Sequence, residues 1–148
     1  MFERKASMKK VLLDTNVVLD FLLKREPNYG YAQTIVTEIA NGNVRGYIIA
    51  SMATDIFYLL QKTNGKIFAI NSLTDLLIIL DVLTVYRDDV YSVLYSGWDD
   101  FEDALQAYVA VRSGMDAIIT WNSKDYQSAK NIKIVFPNDF IHYLNEQE

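Results

Sequence analysis

Cysteine is absent from the 148-residue chain. Its absence excludes a disulfide framework, a zinc–thiolate site and a cysteine nucleophile. A single histidine, His142, is present, so a histidine-rich metal site is excluded and a Ser–His–Asp triad would have to use this residue. No nucleophile-elbow sequence accompanies it. Any chemistry must therefore rest on carboxylates, hydroxyls, amides, lysine and arginine.

Positive charge and long apolar runs are also scarce. The net charge is −5, whereas proteins that bind nucleic acid by neutralising phosphates are usually basic. Either the chain does not bind nucleic acid, or metal ions offset an acidic site. No segment reaches the roughly 18 apolar residues of a membrane helix, and the charged start, MFERKASMKK, lacks the apolar core of a signal peptide. We therefore expect a cytoplasmic protein without membrane contact.

Apolar residues, by contrast, are plentiful at 51%. A chain of this length suits one domain and should bury about 70% of its unfolded surface. Met8 directly precedes the first apolar run, so we interpret residues 1–7 as an N-terminal extension and residues 8–148 as the single domain.

Short apolar runs alternate with segments of helical spacing along this domain. Strands are predicted at five runs, which are 10–13, 46–50, 83–86, 117–120 and 132–136. Helices are predicted at 17–23, 31–40, 51–60, 67–80, 90–95 and 101–113, with Ser51 as a cap and a last helix opening at Pro137. The alternation predicts an α/β domain with a mostly parallel sheet of four to five strands and helices on both faces.

Acidic residues follow the ends of several predicted strands. Asp14 closes the first strand, Asp55 follows the second and Asp125 follows the fourth, while Asp103 lies at the start of one helix. Because the carboxyl ends of parallel strands meet at one edge, we expect these side chains to lie close together. Two carboxylates about 4 Å apart repel by roughly 4 kcal/mol at an effective dielectric of about 20. The pattern therefore predicts a site for a hard cation such as Mg²⁺ or Mn²⁺, which could promote phosphodiester hydrolysis.

Each of these acids also has a purely structural interpretation. Asp14 could cap a helix, and Asp55 could favour the positive end of a helix. Asp100 fits a helix cap better than a ligand, and Asp103 could close a capping box with it. Turn formation could explain three later residues, Asn122, Ser123 and Asp125. Two other acids are expected to be solvated, Asp99 and Glu102. The shared location of the acids, rather than any one of them, favours a site.

Four segments together resemble the motifs of PIN-domain nucleases in order and spacing. They are VLLDTNVVLD, the acid in ASMATDIFYLL, DDFEDALQAYVA and IITWNSKDY. The chain resembles especially the bacterial VapC-like branch, which includes toxin ribonucleases of toxin–antitoxin pairs, and the resemblance extends from Val11 to Leu144. It implies a compact PIN-like three-layer α/β/α sandwich and Mg²⁺- or Mn²⁺-dependent cleavage of single-stranded or structured RNA.

The resemblance also implies roles for individual residues. Asp14 and Asp103 would be the main metal ligands, and Asp125 would complete the site or hold a second ion. Asp55 occupies a position that is more often glutamate in the family, and would act through a water or position the nucleophile. Four polar residues would orient carboxylates or touch phosphate, namely Thr15, Asn16, Asn122 and Ser123. Three basic residues are candidates for contact with the RNA backbone, namely Arg112, Lys124 and Lys130.

The sequence thus predicts a metal-dependent endoribonuclease, the toxin of a bacterial or archaeal toxin–antitoxin pair, with RNA as substrate, a cognate antitoxin as partner and a homodimeric state. The alternative is a catalytically weak PIN-like module that binds RNA or protein, which the aspartate at position 55 favours. A phosphoacceptor receiver-like domain would also carry acids at strand ends. It fits less well because the first strand ends in one acid and the middle strand LTVY ends at Arg87.

Overall fold

The computed structural model describes residues 8–126 and 128–147, so the N-terminal extension assigned to residues 1–7 lies outside the described residues. Five strands form one sheet in the order β3-β2-β1-β4-β5, and all neighbouring pairs are parallel. The strands are β1 (Lys10–Leu13), β2 (Arg45–Ile49), β3 (Asp81–Leu83), β4 (Ala117–Ile119) and β5 (Lys133–Val135). The predicted parallel α/β sheet is confirmed.

Seven α-helices connect and follow these strands in the described part of the chain. They are α1 (Thr15–Leu22), α2 (Tyr29–Ala40), α3 (Ala50–Asn64), α4 (Lys66–Ile79), α5 (Arg87–Leu94), α6 (Phe101–Arg112) and α7 (Pro137–Glu146). Helices α1 to α4 pack on one another and α7 packs on α2, whereas α5 packs on α6. Right-handed crossovers place these two groups on opposite faces of the sheet, which gives the predicted three layers.

The central strand β1 explains why the site lies where it does. Val11, Leu12 and Leu13 are fully buried because β1 is covered on both faces and paired on both edges, which is why it reads as a continuous apolar run. The chain moves from β1 towards β2 and β3 on one side, and returns to β4 and β5 on the other. The carboxyl end of β1 therefore lies at the point where the strand order reverses, where open α/β sheets bind ligands.

Three of the differences between the predicted and the observed element boundaries have a clear structural cause. The third strand ends at Leu83 rather than extending through 83–86, because its partner β2 ends at Ile49, where α3 begins. Helix α5 begins three residues early, since the Asp89 side chain accepts a hydrogen bond from the Tyr86 N–H at 2.8 Å. Ser51 is not the cap of α3 but lies in its first turn.

No helix among residues 8–126 and 128–147 is long and apolar enough to cross a bilayer.

Candidate active site

Asp14 stands at the carboxyl end of β1, and its side chain is buried. It occupies the N-cap position of α1, as one interpretation predicted, but its side chain makes no capping hydrogen bond. Instead, the Thr120 hydroxyl donates to Asp14 Oδ2 at 2.7 Å from the end of the neighbouring strand β4. Burial raises the pKa of the Asp14 carboxyl, although hydrogen bonds from Thr120, the Thr15 backbone and Gln106 oppose the shift. Among the described residues, no basic side chain forms an ion pair with Asp14.

The first turn of α6 brings Asp103 to the same place. Asp100 caps the helix, as predicted, because its Oδ1 accepts a hydrogen bond from the Asp103 N–H at 2.8 Å. The cap uses the Asp103 backbone, and the Asp103 carboxyl lines a cleft. Burial, followed by the negative charges of Asp100, Asp14 and Asp125, raises the pKa of Asp103 to about 7. Several carboxyls therefore repel one another here.

The cleft has a volume of about 500 Å³ and lies at the carboxyl edge of the sheet. Its acidic lining consists of Asp14, Asp55, Asp100, Glu102, Asp103 and Asp125. Other polar lining residues are Thr15, Asn16, Gln106 and Asn122. The structure thus brings together all four acids that the sequence predicts. Ser123 begins a short 3-10 helix (Ser123–Tyr126) and, unlike the other three predicted polar residues, does not line this cleft.

Glu102 differs from the expectation that it is merely solvated. It is exposed, but it lines the cleft and shares a hydrogen bond with the Asp55 side chain. That hydrogen bond, with burial and the charges of neighbouring acids, raises the pKa of Glu102 to about 7. A hydrogen bond between two carboxyl groups requires a proton on one of them. The atypical Asp55 therefore has an acidic partner that the sequence did not indicate.

Three buried residues that support the acids were also missed. Thr120 holds Asp14, and its hydroxyl oxygen accepts from the Asn122 N–H at 3.0 Å. The Tyr126 hydroxyl donates to Gln106 Oε1 at 2.9 Å and lies 3.4 Å from Asp103 Oδ1. Spacing could have revealed Gln106, because a residue three positions after Asp103 shares its helix face.

The acidic side chains that line the cleft are suitable ligands for a hard divalent cation. The acidic side chains offer carboxylate oxygens, which Mg²⁺ and Mn²⁺ prefer. Burial and then the charges of the neighbouring acids raise the pKa of Asp103. Among the residues that the structure describes, however, no three acidic or histidine side chains converge closely enough to form a ready-made cation site. The cleft is thus an open arrangement of ligands rather than a closed cage.

Arg112 and Lys130 lie elsewhere. Arg112 ends α6 and forms two hydrogen bonds to Asp89, at 2.7 and 2.9 Å, and one to the Thr84 carbonyl at 2.8 Å. Both basic residues line a second cavity of about 700 Å³, between α5, α6 and residues 128–131. Nine residues separate Arg112 from Asp103, which corresponds to about 13 Å along the helix. Lys124 is exposed and does not line the acidic cleft. None of the three predicted basic contacts lines the cleft.

The family model of the PIN domain matches residues 10–124, so the chain belongs to the PIN domain family. Ribonuclease VapC1 of Aquifex aeolicus (strain VF5) is 22% identical over 142 residues, which cover 93% of this chain and 96% of that protein. The fold resembles DNA-bound VapBC from Salmonella typhimurium, with a TM-score of 0.67, 17% identity and coverage of 88% of this chain and 99% of that chain. It also resembles PAE2754 from Pyrobaculum aerophilum, with a TM-score of 0.64, 20% identity and coverage of 97% and 100%.

Proposed function

We propose that this chain is an endoribonuclease that hydrolyses RNA phosphodiester bonds at the acidic cleft with the help of Mg²⁺ or Mn²⁺. The observation that carries the proposal is the convergence of Asp14, Asp55, Asp103 and Asp125 on one cleft at the switch point of a PIN-domain sheet. A relative that covers nearly the whole chain is named a ribonuclease, which supports the same activity.

Asp14, Asp103 and Asp125 would hold the ion. A bound divalent cation would activate a water and stabilise the leaving oxygen of the phosphodiester. Thr120 keeps the Asp14 carboxylate oriented through its 2.7 Å hydrogen bond, and Asp100 fixes the start of α6, which carries Asp103. Asp55 and Glu102 line the cleft beside these ligands, and Glu102, whose pKa is raised to about 7, could accept or release a proton near the reacting water.

Four predicted polar residues keep their proposed roles. Thr15, Asn16 and Asn122 line the cleft, where their side chains could contact a phosphate or orient a carboxylate. Ser123 is proposed to act from the adjoining 3-10 helix.

An RNA cleavage assay in Mg²⁺ or Mn²⁺ tests the activity. Asp14→Asn should reduce the rate at least about 100-fold, the size of effect seen when a group that stabilises the transition state is removed. Asp139→Asn is the matched control, because Asp139 is an exposed acid in the first turn of α7. Equal activity of the parent and Asp14→Asn, or activity that survives full chelation, would show that the metal mechanism is wrong.

The second candidate is a catalytically weak PIN-like module that binds RNA or protein. It is favoured by the open arrangement of the acids in the described residues and by the pairing of Asp55 with Glu102. This candidate predicts binding without cleavage under any divalent ion. Cleavage by the parent that Asp14→Asn abolishes would eliminate it.

We further propose that the chain is the toxin of a toxin–antitoxin pair, that it acts in the cytoplasm and that it forms a homodimer. Solved structures with a similar fold include a toxin–antitoxin complex from Klebsiella pneumoniae, with a TM-score of 0.65. Large apolar side chains are exposed on α4 and at the end of α5, among them Ile67, Ile78 and Tyr95. Light scattering of the protein alone tests the homodimer interface. Light scattering with the candidate antitoxin, the product of a neighbouring reading frame, tests the antitoxin interface. A monomer at all concentrations would exclude the homodimer.

A further inference from the structure

We propose that Tyr31, Trp121 and Phe136 form an aromatic platform on which unpaired bases of a single-stranded RNA stack, next to the acidic cleft. The proposal rests on the proposed ribonuclease function and deepens it, because it assigns the residues that would bind the bases of the RNA.

The three rings come from separate segments that meet at the carboxyl edge of the sheet. Tyr31 lies in the first turn of α2, Trp121 follows β4 and Phe136 follows β5. The Trp121 and Phe136 rings stack, with centroids 6.1 Å apart and an angle of 24° between their planes. Tyr31 meets Trp121 edge to face at 5.6 Å and 69°. The rings therefore form one continuous aromatic surface.

Solvent reaches this platform. Tyr31 is 43% exposed and Phe136 is 38% exposed, and Trp121 is half-buried between them. A cluster that served only to pack α2 against α7 would cover its rings. Exposed aromatic faces can instead accept nucleic-acid bases, because every base presents a π-face.

The platform is continuous with the cleft through the backbone. Trp121 stands between Thr120, whose hydroxyl donates to Asp14, and Asn122, which lines the cleft. The Asn122 N–H also donates to the Thr120 hydroxyl oxygen, so this tripeptide is fixed at both ends. None of the three rings lines the cleft itself, but Trp121 lies one residue from both Thr120 and Asn122, so a nucleotide that flanks a phosphodiester at Asp14 could reach its ring.

Charge favours this mode of binding over phosphate neutralisation. The net charge is −5 and the cleft is lined by acids, so the electrostatic attraction that usually dominates nucleic-acid affinity is weak here. Stacking does not require positive charge. It does require bases that are free of a duplex stack, because an A-form duplex keeps its base faces covered.

One cation lies at the same edge. Arg25 Nη2 donates to the carbonyl of Asn16 at 3.0 Å, and Asn16 lines the cleft. The Arg25 side chain is held by Asp20 at 2.9 Å, yet 40% of it is exposed. Its exposed part is available to a phosphate that links stacked nucleotides.

Tryptophan fluorescence provides a direct test that does not depend on cleavage. The chain has two tryptophans, and Trp98 packs edge to face against Tyr126 rather than on the platform. In Trp98→Phe, with chelator present, an RNA single strand of about ten nucleotides should quench the Trp121 emission by stacking on it. The same addition to Trp121→Phe should change the emission of the remaining Trp98 much less.

Binding constants of the full chain sharpen the test. Trp121→Leu should weaken binding of the single strand about tenfold, because stacking on one aromatic residue typically contributes that much. Trp121→Phe keeps a ring and should restore most of the affinity. Tyr91→Ala is the control, since it removes an aromatic side chain that is 46% exposed on α5, and it should bind like the parent. Thermal melting confirms that each variant folds.

The platform would be overturned by equal RNA affinity for Trp121→Leu and Tyr91→Ala, by equal affinity of the parent for a duplex of the same sequence, or by no RNA binding by the parent. Loss of antitoxin binding in Trp121→Leu with unchanged RNA binding would likewise identify the surface as a protein contact. Failure of the nuclease itself is distinguishable. If the parent binds RNA through Trp121 but does not cleave it, the platform stands and the nuclease function is wrong. If Trp121→Leu cleaves RNA with an unchanged KM, the nuclease function stands and the platform is wrong.

Discussion

Helix α6 has an acidic cleft at one end and an ion pair at the other, and a buried aspartate stands beside each end. Asp14 and Asp89 are both 5% exposed. Burial acts to raise the pKa of Asp89, but hydrogen bonds from Arg112 and the Tyr86 N–H and the guanidinium charge together hold it below its usual value. Asp14 receives hydrogen bonds only from uncharged groups, and burial raises its pKa.

The difference shows that burial by itself does not define the role of a carboxylate. At the Arg112 end the negative charge is balanced within the protein, so the pair fixes α5 against α6. At the Asp103 end, repulsion from neighbouring acids remains, and a cation from solution would relieve it. The first end is thus structural, and the second is where we propose that a metal ion binds.

The largest expected effect concerns the divalent ion. Titration of the parent with Mn²⁺ should raise the melting temperature, because an ion at 100 times its Kd stabilises the fold by about 2.7 kcal/mol, or about 8 °C for a chain of this size. Asp89→Asn should keep the whole response, and Asp103→Asn should lose most of it. A flat melting temperature across the titration would contradict the proposed site.

A matched pair of substitutions should separate the two ends by stability. Asp89→Asn should cost about 2 kcal/mol in the free energy of unfolding, less than a fully buried pair because Arg112 is 39% exposed. Asp14→Asn, in the absence of metal, should leave stability unchanged or raise it, since it removes a desolvated charge and keeps an acceptor for Thr120. Urea unfolding with a chelator measures both. Similar destabilisation by the two variants would remove the distinction between the ends.

The dependence of stability on pH should also differ between the ends. The folded pKa of Asp103 is raised to about 7, so the folded state binds more protons than the unfolded state between about pH 4 and 7. Stability of the metal-free protein should therefore increase as the pH falls through this window, by about 1 kcal/mol after allowance for solvent screening. The folded pKa of Asp89 is lowered, so its contribution is present above its unfolded pKa and is lost as the pH falls through the folded one.

Unfolding free energies at a series of pH values test this contrast. Asp103→Asn should flatten the rise in stability between pH 7 and 4 without altering the loss in stronger acid. An unchanged slope in Asp103→Asn would assign the effect to other groups.

Salt should produce the smallest difference. Raising NaCl from about 0.1 M to about 1 M shortens the Debye length from about 10 Å to about 3 Å. The metal-free parent should gain less than about 1 kcal/mol from screened repulsion in the cleft, and Asp103→Asn should gain less than the parent. Comparing the parent with Asp103→Asn cancels the general effect of salt on apolar burial. A larger gain in Asp103→Asn would indicate that repulsion in the cleft is not the cause.

Most of the fold could be predicted because its elements are encoded locally. The run before Asp14 is apolar over its whole length since β1 is covered on both faces, and the helices are delimited by caps and glycines such as Asp100 and Gly114. The third strand was misplaced because pairing with β2, rather than its own apolar run, determines where it ends. Pairing partners are not visible in a single segment.

The candidate site, like the fold, has some features that the local sequence encodes and others that it does not. Asp14, Asp55, Asp103 and Asp125 could be predicted because each follows a strand or starts a helix, and parallel strands direct these ends to one edge. The hydrogen bond between Asp55 and Glu102, and the aromatic contacts around Trp121, join segments that are far apart in the chain. No local pattern encodes such contacts.

Sequence by itself thus determined the layers of the fold, the four acids that line the cleft and the absence of sulfur and imidazole groups among them, because composition and spacing are properties of the chain. The tertiary structure determined which buried carboxylates have a positively charged partner. Asp89 pairs with Arg112, whereas Asp14 accepts a hydrogen bond from the Thr120 hydroxyl. The packing of α5 and β4 against their neighbours sets these distances. Electrostatic energies depend on such distances and on burial.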